Sequence, residues 1–289
     1  MNDLTGKTIL ITGATNGIGK AAAMVLAKRG ATLVIVGRNP EKTIQVVQQI
    51  KASTGNPAVD GLISNLSSMS QVRRLAREFR QKYAHLHLLI NNAGGIYANR
   101  TTSVDGYEYT FALNHLAYFL LTNLLLDMLI TDAPSRIINV SSRAHEGATL
   151  NFDDLQNEQH YAYGGYRAYG QSKLDNLLFT YELARRLSGT GVTANAIHPG
   201  VVATGFGKNN HGAMKVGMRV YHQFALTPEQ GADTIIYLAS SPAVECITGK
   251  YWVNRQQVAS SPESYDEATQ KHLWSVSAQL TGIHEPMHA

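Results

Sequence analysis

The sequence contains only one cysteine, Cys246, among its 289 residues. A single cysteine cannot form a disulfide within the chain, and it cannot supply a thiolate cluster for a metal ion. The eleven histidines show no HExxH or similar ligand spacing. We therefore predict no metal site and no disulfide framework.

Charged residues are also scarce, at 16% of the chain with a formal net charge of +4. Soluble domains average about a quarter of charged residues, so much of this chain is expected to lie in a core or at subunit contacts. No cluster of lysine and arginine resembles a nucleic-acid-binding face. The composition predicts no nucleic-acid partner, and the mild positive charge is compatible with an anionic cofactor.

Long hydrophobic runs are absent. The most apolar helix candidate, Leu116–Ile130, has 15 residues and contains Asn123 and Asp127, whereas a membrane span needs about 20 apolar residues. The first seven residues lack the charged-then-apolar layout of a signal peptide. We therefore expect no membrane anchor and a cytoplasmic location.

Short apolar runs alternate with helical patterns, which indicates parallel βαβ units in a doubly wound sheet. The predicted strands are Thr8–Thr12, Thr32–Val36, Asp60–Ser64, Leu86–Asn91, Arg136–Val140, Val192–Ile197 and Gly249–Val253. The predicted helices are Lys20–Arg29, Glu41–Ser53, Ser70–Tyr83, Asn114–Ile130, Ala168–Leu187 and Thr227–Ala239. The expected fold is α/β: a single Rossmann domain over residues 1–289 with about seven parallel strands and helices on both faces. Two segments are expected to extend this domain. Residues 205–225 are expected to form a substrate loop, and residues 254–289 form the C-terminal segment.

A glycine-rich turn, Thr12–Gly19, follows the first strand and opens the first helix. Gly13 suits a tight turn, Gly17 lets the backbone approach a pyrophosphate, and Gly19 allows close packing of the helix. Free N–H groups at the helix N-terminus attract that anion. We predict a nucleotide-binding turn that consists of Gly13, Thr15, Asn16, Gly17, Ile18 and Gly19.

The second strand ends in Gly37-Arg38-Asn39, and no acidic residue occurs from Ala31 to Pro40. An acid near this point grips the ribose 2′-hydroxyl of NAD, whereas an arginine suits the 2′-phosphate of NADP. The sequence therefore favours NADP(H), with Arg38 as the contact.

Tyr169 and Lys173 are four residues apart, so both side chains lie on one face of a helix. A free phenol has a pKa of about 10, and a nearby ammonium favours the phenolate. The pair therefore suits general acid–base chemistry near neutral pH. Tyr163, four residues before Arg167, is a competing candidate of the same spacing.

These motifs, in this order, resemble the short-chain dehydrogenase/reductase family, and the chain is most similar to its retinol-dehydrogenase-like group. The resemblance rests on the glycine turn, Asn91–Gly94, Asn114, Ser141-Ser142, Tyr169-x-x-x-Lys173 and Pro199-Gly200. It extends over Arg136–His145, Asn151–Leu155, Phe179–Leu187, His198–Thr204, Gly249–Tyr251 and Leu273–Ser277.

The resemblance implies four catalytic residues. Tyr169 is the general acid/base, and Lys173 binds the nicotinamide ribose and lowers the pKa of the tyrosine. Ser142, preferred over Ser141, hydrogen-bonds the substrate oxygen. Asn114 anchors a water in the proton relay, although an N-cap is a common alternative use of asparagine.

The resemblance also implies further cofactor contacts, at Asn65, Leu66, Asn92, Ala93, Gly94, Tyr169, Lys173, Pro199, Gly200, Val202 and Thr204. Asn65 stands where the family usually has an aspartate, and an amide oxygen can still accept the hydrogen bond from adenine.

The expected activity is hydride transfer between NADP(H) and the carbonyl or alcohol group of a lipophilic aldehyde, ketone or alcohol. Two alternatives stay open: an NAD-linked alcohol dehydrogenase, and a cofactor-bound sensor or scaffold without turnover. The resemblance implies a homodimer or homotetramer formed through helices Asn114–Ile130 and Ala168–Leu187, because an apolar exposed stripe normally marks an interface.

Overall fold

Continuous apolar runs form the centre of the fold. The computed structural model describes residues 3–159, 161–202 and 225–283. The first strand, with the sequence TILIT, is buried along its whole length. A strand buried on both faces is typical of a parallel sheet that helices cover on either side.

The described residues form one eight-stranded sheet. Its strands are β1 (Thr8–Thr12), β2 (Thr32–Gly37), β3 (Val59–Ile63), β4 (Leu88–Asn91), β5 (Ser135–Val140), β6 (Val192–His198), β7 (Tyr251–Val253) and β8 (Gln256–Val258). Their order is β3-β2-β1-β4-β5-β6-β7-β8. The α/β doubly wound fold is confirmed, and all neighbouring pairs are parallel except β7 with β8.

The prediction of about seven strands missed β8, which pairs with β7 in an antiparallel hairpin. Its three residues, Gln256–Val258, are all exposed. A short polar edge strand carries no apolar alternation, so the sequence offered no signal for it.

Within the described ranges, the α-helices are α1 (Gly17–Lys28), α2 (Pro40–Thr54), α3 (Met69–Lys82), α4 (Tyr109–Thr131), α5 (Tyr166–Arg186), α6 (Pro228–Ser240) and α7 (Glu267–Thr281). Six lie close to their predicted positions. The seventh, α7, was not predicted; it begins at Asp266, whose carboxylate accepts a hydrogen bond from the backbone N–H of Ala268.

Helix α4 starts five residues before its predicted first residue, Asn114. The buried carboxylate of Glu108 caps it by accepting the backbone N–H groups of Thr110 and Phe111, at 2.8 and 2.7 Å. The turn Ala112–Leu116 within this helix is a π-helix. Asn114 therefore lies inside a helix, and its alternative interpretation as an N-cap is wrong.

The early start makes α4 23 residues long, which is enough by length and composition to cross a membrane. The length argument from the sequence, which counted a helix of 15 residues, is therefore wrong. In the fold, 61% of the apolar window of this helix is buried. A core helix of a soluble protein passes the same test of length and composition, so the helix is weak evidence for a span.

Helix α7 covers one side of α4 and α5. Trp274 packs edge-on against Phe119 of α4, with ring centroids 5.0 Å apart, and stacks on Phe179 of α5 at 5.8 Å. Nε2 of His115 lies 2.8 Å from Oγ of Ser277. The C-terminal helix thus belongs to the core that supports the two helices nearest the site.

Candidate active site

The glycine turn is hydrogen-bonded to the segment that follows β4. Oγ1 of Thr12 accepts the backbone N–H groups of Asn92 and Ala93, at 2.9 and 3.0 Å. Nδ2 of Asn92 donates to the carbonyl oxygens of Thr12 and Gly13, at 2.8 and 3.2 Å. The carboxyl ends of β1 and β4 are thereby held together at the edge of the sheet where open α/β folds bind ligands.

Two glycines of this turn have no room for a side chain. A Cβ at Gly13, where φ is +68°, would lie 2.7 Å from Cα of Ala93. A Cβ at Gly19 would lie 2.5 Å from Nδ2 of Asn92. The backbone is therefore bare where helix α1 begins, as a nucleotide pyrophosphate requires.

The turn forms one wall of a cleft of about 530 Å³. Twelve predicted cofactor-binding residues line it: Gly13, Thr15, Asn16, Gly17, Ile18, Gly19, Arg38, Asn65, Leu66, Asn92, Ala93 and Gly94. The sequence analysis missed nine further lining residues: Val36, Gly37, Lys42, Ser64, Gly95, Ile96, Tyr97, Tyr109 and Leu113. Lys42 could have been found, because it lies four residues after Arg38 in the first turn of a helix.

Two cations line the cleft. Arg38 and Lys42 are both exposed. Helix α2 starts there, and Oδ1 of its N-cap residue Asn39 accepts the backbone N–H of Lys42 at 2.9 Å. Two side-chain cations next to the positive end of a helix suit an anion such as a 2′-phosphate.

Gly37 explains why no acidic residue stands at the end of β2. A Cβ there would lie 2.2 Å from Oγ1 of Thr43 and 2.5 Å from Cγ2 of Thr15. Thr43 is buried, and its hydroxyl donates to the carbonyl oxygen of Asn39 at 2.7 Å. An acidic side chain at position 37 would therefore displace Thr43 or Thr15.

Asn65 lines the cleft, but its side-chain oxygen is already engaged. Oδ1 accepts from the backbone N–H and from the hydroxyl of Ser67, at 3.2 and 2.9 Å. An amide oxygen has two lone pairs, so the expected hydrogen bond to adenine would have to replace one of these.

Lys173 lies next to Gly94, which lines the cleft. Its Nζ is buried, donates to the carbonyl oxygen of Val140 at 3.0 Å and lies 5.5 Å from the centre of the Tyr169 ring. Burial lowers the pKa of Lys173 to about 7. A Cβ at Gly94 would lie 3.5 Å from this Nζ. Gly94 thus joins the cleft to the predicted catalytic pair.

The start of the catalytic helix α5 packs closely against the loop after β4. Tyr163, Gly164 and Gly165, which precede the helix, all have positive φ. A Cβ at Gly165 would lie 1.8 Å from the carbonyl oxygen of Tyr97. Tyr169 is half-buried, whereas the competing Tyr163 is 86% exposed.

The two serines at the end of β5 have different surroundings. Ser141 is buried, and its hydroxyl donates to the carbonyl oxygen of Lys173 at 2.6 Å. Ser142 is half-buried, and its Oγ accepts the backbone N–H of Ala144 at 3.2 Å. Ser141 therefore ties β5 to the catalytic helix, which leaves Ser142 as the serine with access to solvent.

Asn114 connects the cleft with the catalytic helix. Its Oδ1 accepts the backbone N–H of Gly95 at 2.9 Å. Its Nδ2 donates to the carbonyl oxygen of Gly95 and to Oγ of Ser172, at 3.0 and 2.9 Å. These bonds place Asn114 among the predicted site residues, while its role in a water relay stays a prediction.

The remaining predicted contacts follow β6. Gly200 has φ +82°, and a Cβ there would lie 2.5 Å from Cδ1 of Leu226. Val202 pairs with Leu226 in an isolated parallel bridge. Pro199, Gly200 and Val202 thus lie at the carboxyl end of the sheet. Thr204 and all of the predicted substrate loop except Ala225 lie outside the described residues.

In the part of the chain that the structure describes, no group of three or more histidine, cysteine, aspartate or glutamate side chains could hold a metal ion.

Comparison with known proteins identifies relatives of this chain. Residues 7–153 match the family model for short chain dehydrogenases. The chain is 42% identical to human retinol dehydrogenase 13, over 98% of this chain and 87% of the relative. It is 40% identical to human polyprenol dehydrogenase, over 96% of this chain and 86% of the relative.

Two solved structures share the fold. A protein from Mycobacterium paratuberculosis has a TM-score of 0.79 and 32% identity, with 99% of this chain and 97% of that chain covered. The NADP complex of Pseudomonas aeruginosa RhlG has a TM-score of 0.70 and 26% identity, with 91% and 98% covered.

Proposed function

The chain belongs to the short-chain dehydrogenase family, and from that premise we propose an oxidoreductase that transfers a hydride between NADP(H) and a lipophilic aldehyde, ketone or alcohol. One observation carries this proposal. Arg38, Lys42 and Gly94 line one cleft. A Cβ at Gly94 would lie 3.5 Å from Nζ of Lys173, which itself lies 5.5 Å from the centre of the Tyr169 ring.

The residues of the cleft fit NADP(H). The bare backbone at Gly13 and Gly19 would hold the pyrophosphate, and Arg38 with Lys42 would hold the 2′-phosphate. The NADP named in the RhlG structure supports this choice. The lack of an acidic residue from Ala31 to Pro40 speaks against the NAD-linked alternative. When bound, the cofactor donates or accepts the hydride.

Tyr169 is the residue that transfers the proton. Its hydroxyl gives a proton to the carbonyl oxygen during reduction and takes it from the alcohol during oxidation. Lys173, in its ammonium form, favours the phenolate. Ser142 hydrogen-bonds the substrate oxygen, and Asn114 holds the cleft against the catalytic helix.

The substrate class rests on the relatives. One is named for retinol and another for polyprenol, and their identities to this chain are nearly equal, at 42% and 40%. Both alcohols are lipophilic, but they differ greatly in length. We therefore propose a lipophilic carbonyl or alcohol without choosing between them. A cytoplasmic location and a homodimer or homotetramer stay predictions from the sequence.

The test is NADPH consumption against a panel of aldehydes and ketones, with Tyr169→Phe as the variant. This change removes only the hydroxyl, so turnover should be almost lost while NADPH still binds. Tyr166→Phe is the matched control, because Tyr166 lies on the same helix, is 54% exposed and should not change the rate. Activity of Tyr169→Phe within a few-fold of the parent would show that Tyr169 is not the proton donor.

A further inference from the structure

His145 is fully buried on the 3-10 turn Arg143–Gly147, which begins directly after Ser142. Its Nδ1 lies 2.6 Å from the carbonyl oxygen of Ser142. Its Nε2 lies 3.1 Å from the backbone nitrogen of Ser261, 116 residues further along the chain. The imidazole ring thus joins the end of β5 to the C-terminal part of the fold.

These two backbone groups determine where the proton of the ring is. A carbonyl oxygen can only accept a hydrogen bond, so Nδ1 of His145 must carry the hydrogen. A backbone N–H can only donate, so Nε2 must be unprotonated. Both contacts exist together only in the neutral Nδ1–H tautomer, because a second proton on Nε2 would point at the N–H of Ser261.

The surroundings of His145 favour this neutral form. Its ring packs edge-on against the ring of Tyr251, with centroids 5.1 Å apart and planes at 81°. Burial lowers the pKa of His145, and the charges of Glu146 and Glu263 act in the opposite direction. The ionisable groups around it are Arg143, Glu146, His198, Tyr251 and Glu263.

Ser261 belongs to a segment that also contacts the catalytic helix. We call Ser260–Tyr265 the C-terminal brace. Oγ of Ser260 lies 2.7 Å from Oη of Tyr181, and the ring of Tyr265 stacks on that of Tyr181 at 5.4 Å and 11°. Tyr181 lies on α5, three turns after Tyr169. The brace therefore contacts the catalytic helix directly and Ser142 through His145.

We propose that His145 is a positioning residue: in its Nδ1–H form it holds the peptide of Ser142 against the C-terminal brace and so fixes the Ser142 hydroxyl relative to Tyr169. The inference rests on the proposed function, in which Ser142 hydrogen-bonds the substrate oxygen. Misplacement of a reacting group by about 1 Å can cost about a hundredfold in rate.

Three substitutions of His145 distinguish the contributions of its hydrogen bonds to Ser142 and Ser261. His145→Ala removes both, and we expect kcat to fall by about ten- to a hundredfold while KM for NADPH changes little. Asn is shorter, and its amide nitrogen replaces Nδ1, so His145→Asn should recover most of kcat. Gln is longer, and its amide oxygen replaces Nε2 alone, so His145→Gln should recover less. A merely stabilising role would lower the melting temperature without this order in kcat.

The pH profile supplies a second readout. Above the pKa of His145 the ring is neutral and both bonds are intact, so kcat of the parent should fall on the acid side as the ring takes up its second proton. His145→Asn cannot take up that proton and should lack this acid limb. His87→Asn is the control: Nδ1 of His87 also accepts a backbone N–H, that of Thr8 at 3.1 Å, but at the amino end of the sheet.

NMR tests the same inference without turnover. Nitrogen shifts of the ring should show the Nδ1–H tautomer, and the Cβ signal of Ser142 should move in His145→Ala and stay in place in His87→Asn. The opposite tautomer, an unmoved Ser142 signal, or an unchanged kcat in folded His145→Ala would each overturn the inference. If neither the parent nor His87→Asn reduces any carbonyl, the proposed function fails, and the NMR result alone decides the role of His145.

Discussion

Arg38 and Lys42 are the side chains with which the proposed choice of NADP can be tested. A hydrogen bond to a charged group contributes about 1.5–3 kcal/mol, and about 1.4 kcal/mol corresponds to a factor of ten. Arg38→Ala should therefore lower kcat/KM for NADPH at least about tenfold and leave that for NADH almost unchanged. Lys42→Ala should have a smaller effect of the same sign, because an ammonium cannot form a bidentate pair.

Lys51→Ala is the matched control for these variants, because Lys51 is exposed on the same helix α2 but does not line the cleft. An equal loss with both cofactors would contradict the assignment of Arg38 to the 2′-phosphate. Replacing Gly37 with an acidic residue would not test NAD specificity alone. Its Cβ would lie 2.2 Å from Oγ1 of Thr43, so the change would disturb the fold as well as the cofactor site.

Asp175 is a second residue with a measurable consequence. Both of its carboxylate oxygens are buried without a hydrogen-bond partner in the described part of the chain, and burial raises its pKa well above the usual range. The folded state then binds a proton that the unfolded chain releases above a pKa of about 3.9. The free energy of unfolding must therefore fall as the pH rises from that value towards the folded pKa.

Asp175→Asn removes this dependence, because an amide does not ionise. We expect the variant to gain stability over the parent with rising pH, by about 1.4 kcal/mol per unit while the parent keeps its proton. Urea unfolding at a series of pH values measures this difference. A constant difference between Asp175→Asn and the parent would contradict the prediction.

The sequence predicted those site residues whose chemistry is tied to a local motif. The glycines of the Thr12–Gly19 turn and the spacing of Tyr169 and Lys173 are of this kind. The partners of Tyr97 and His145 could not be found in this way, because they lie far away in the chain. Nothing near His145 indicates that Ser261 would be its partner. The sequence also gave no sign that Ser67 would engage the amide oxygen of Asn65.

Among the elements, most of those with an apolar run were predictable, and the short polar ones were not. Strands β1, β2, β4, β5 and β6 are buried almost completely, whereas β3 is only partly buried. Each of the six was predicted within a few residues of its observed bounds. Strand β8 is exposed and polar, and the start of α4 depends on the buried cap Glu108. Helix α7 was missed because its surface is polar, and its apolar residues pack on helices that are distant in the chain.

Trp274 holds α7 in place, so it tests whether this helix belongs to the core. Its ring contacts Phe119 and Phe179, and the guanidinium of Arg186 lies 4.2 Å from its centre. Trp274→Ala should lower the free energy of unfolding by about 3–5 kcal/mol. Lys271→Ala, on the exposed face of the same helix, should change it by less than about 1 kcal/mol. A small effect of Trp274→Ala in chemical unfolding would mean that α7 docks only loosely.

At the scale of the whole molecule, the prediction of a homodimer rested on an apolar stripe of α4 that was expected to be exposed. The structure covers much of that stripe within one chain, because α7 packs on both α4 and α5. Leu120, Leu121 and Leu125 of α4 are buried, whereas Ile130 at its last turn is 41% exposed. A dimer therefore has to use another surface or displace α7.

We expect a dimer that leaves α7 in place, and one substitution on α4 distinguishes the two routes. Ile130→Glu puts a charge at the exposed end of the helix. A dimer formed through α4 would dissociate, because burying an unpaired carboxylate is costly; a dimer formed elsewhere keeps its mass. Light scattering at micromolar concentration should therefore give the mass of two chains for the parent and for Ile130→Glu. A parent with the mass of one chain would contradict the prediction of assembly, and dissociation of Ile130→Glu alone would place the interface on α4 after all.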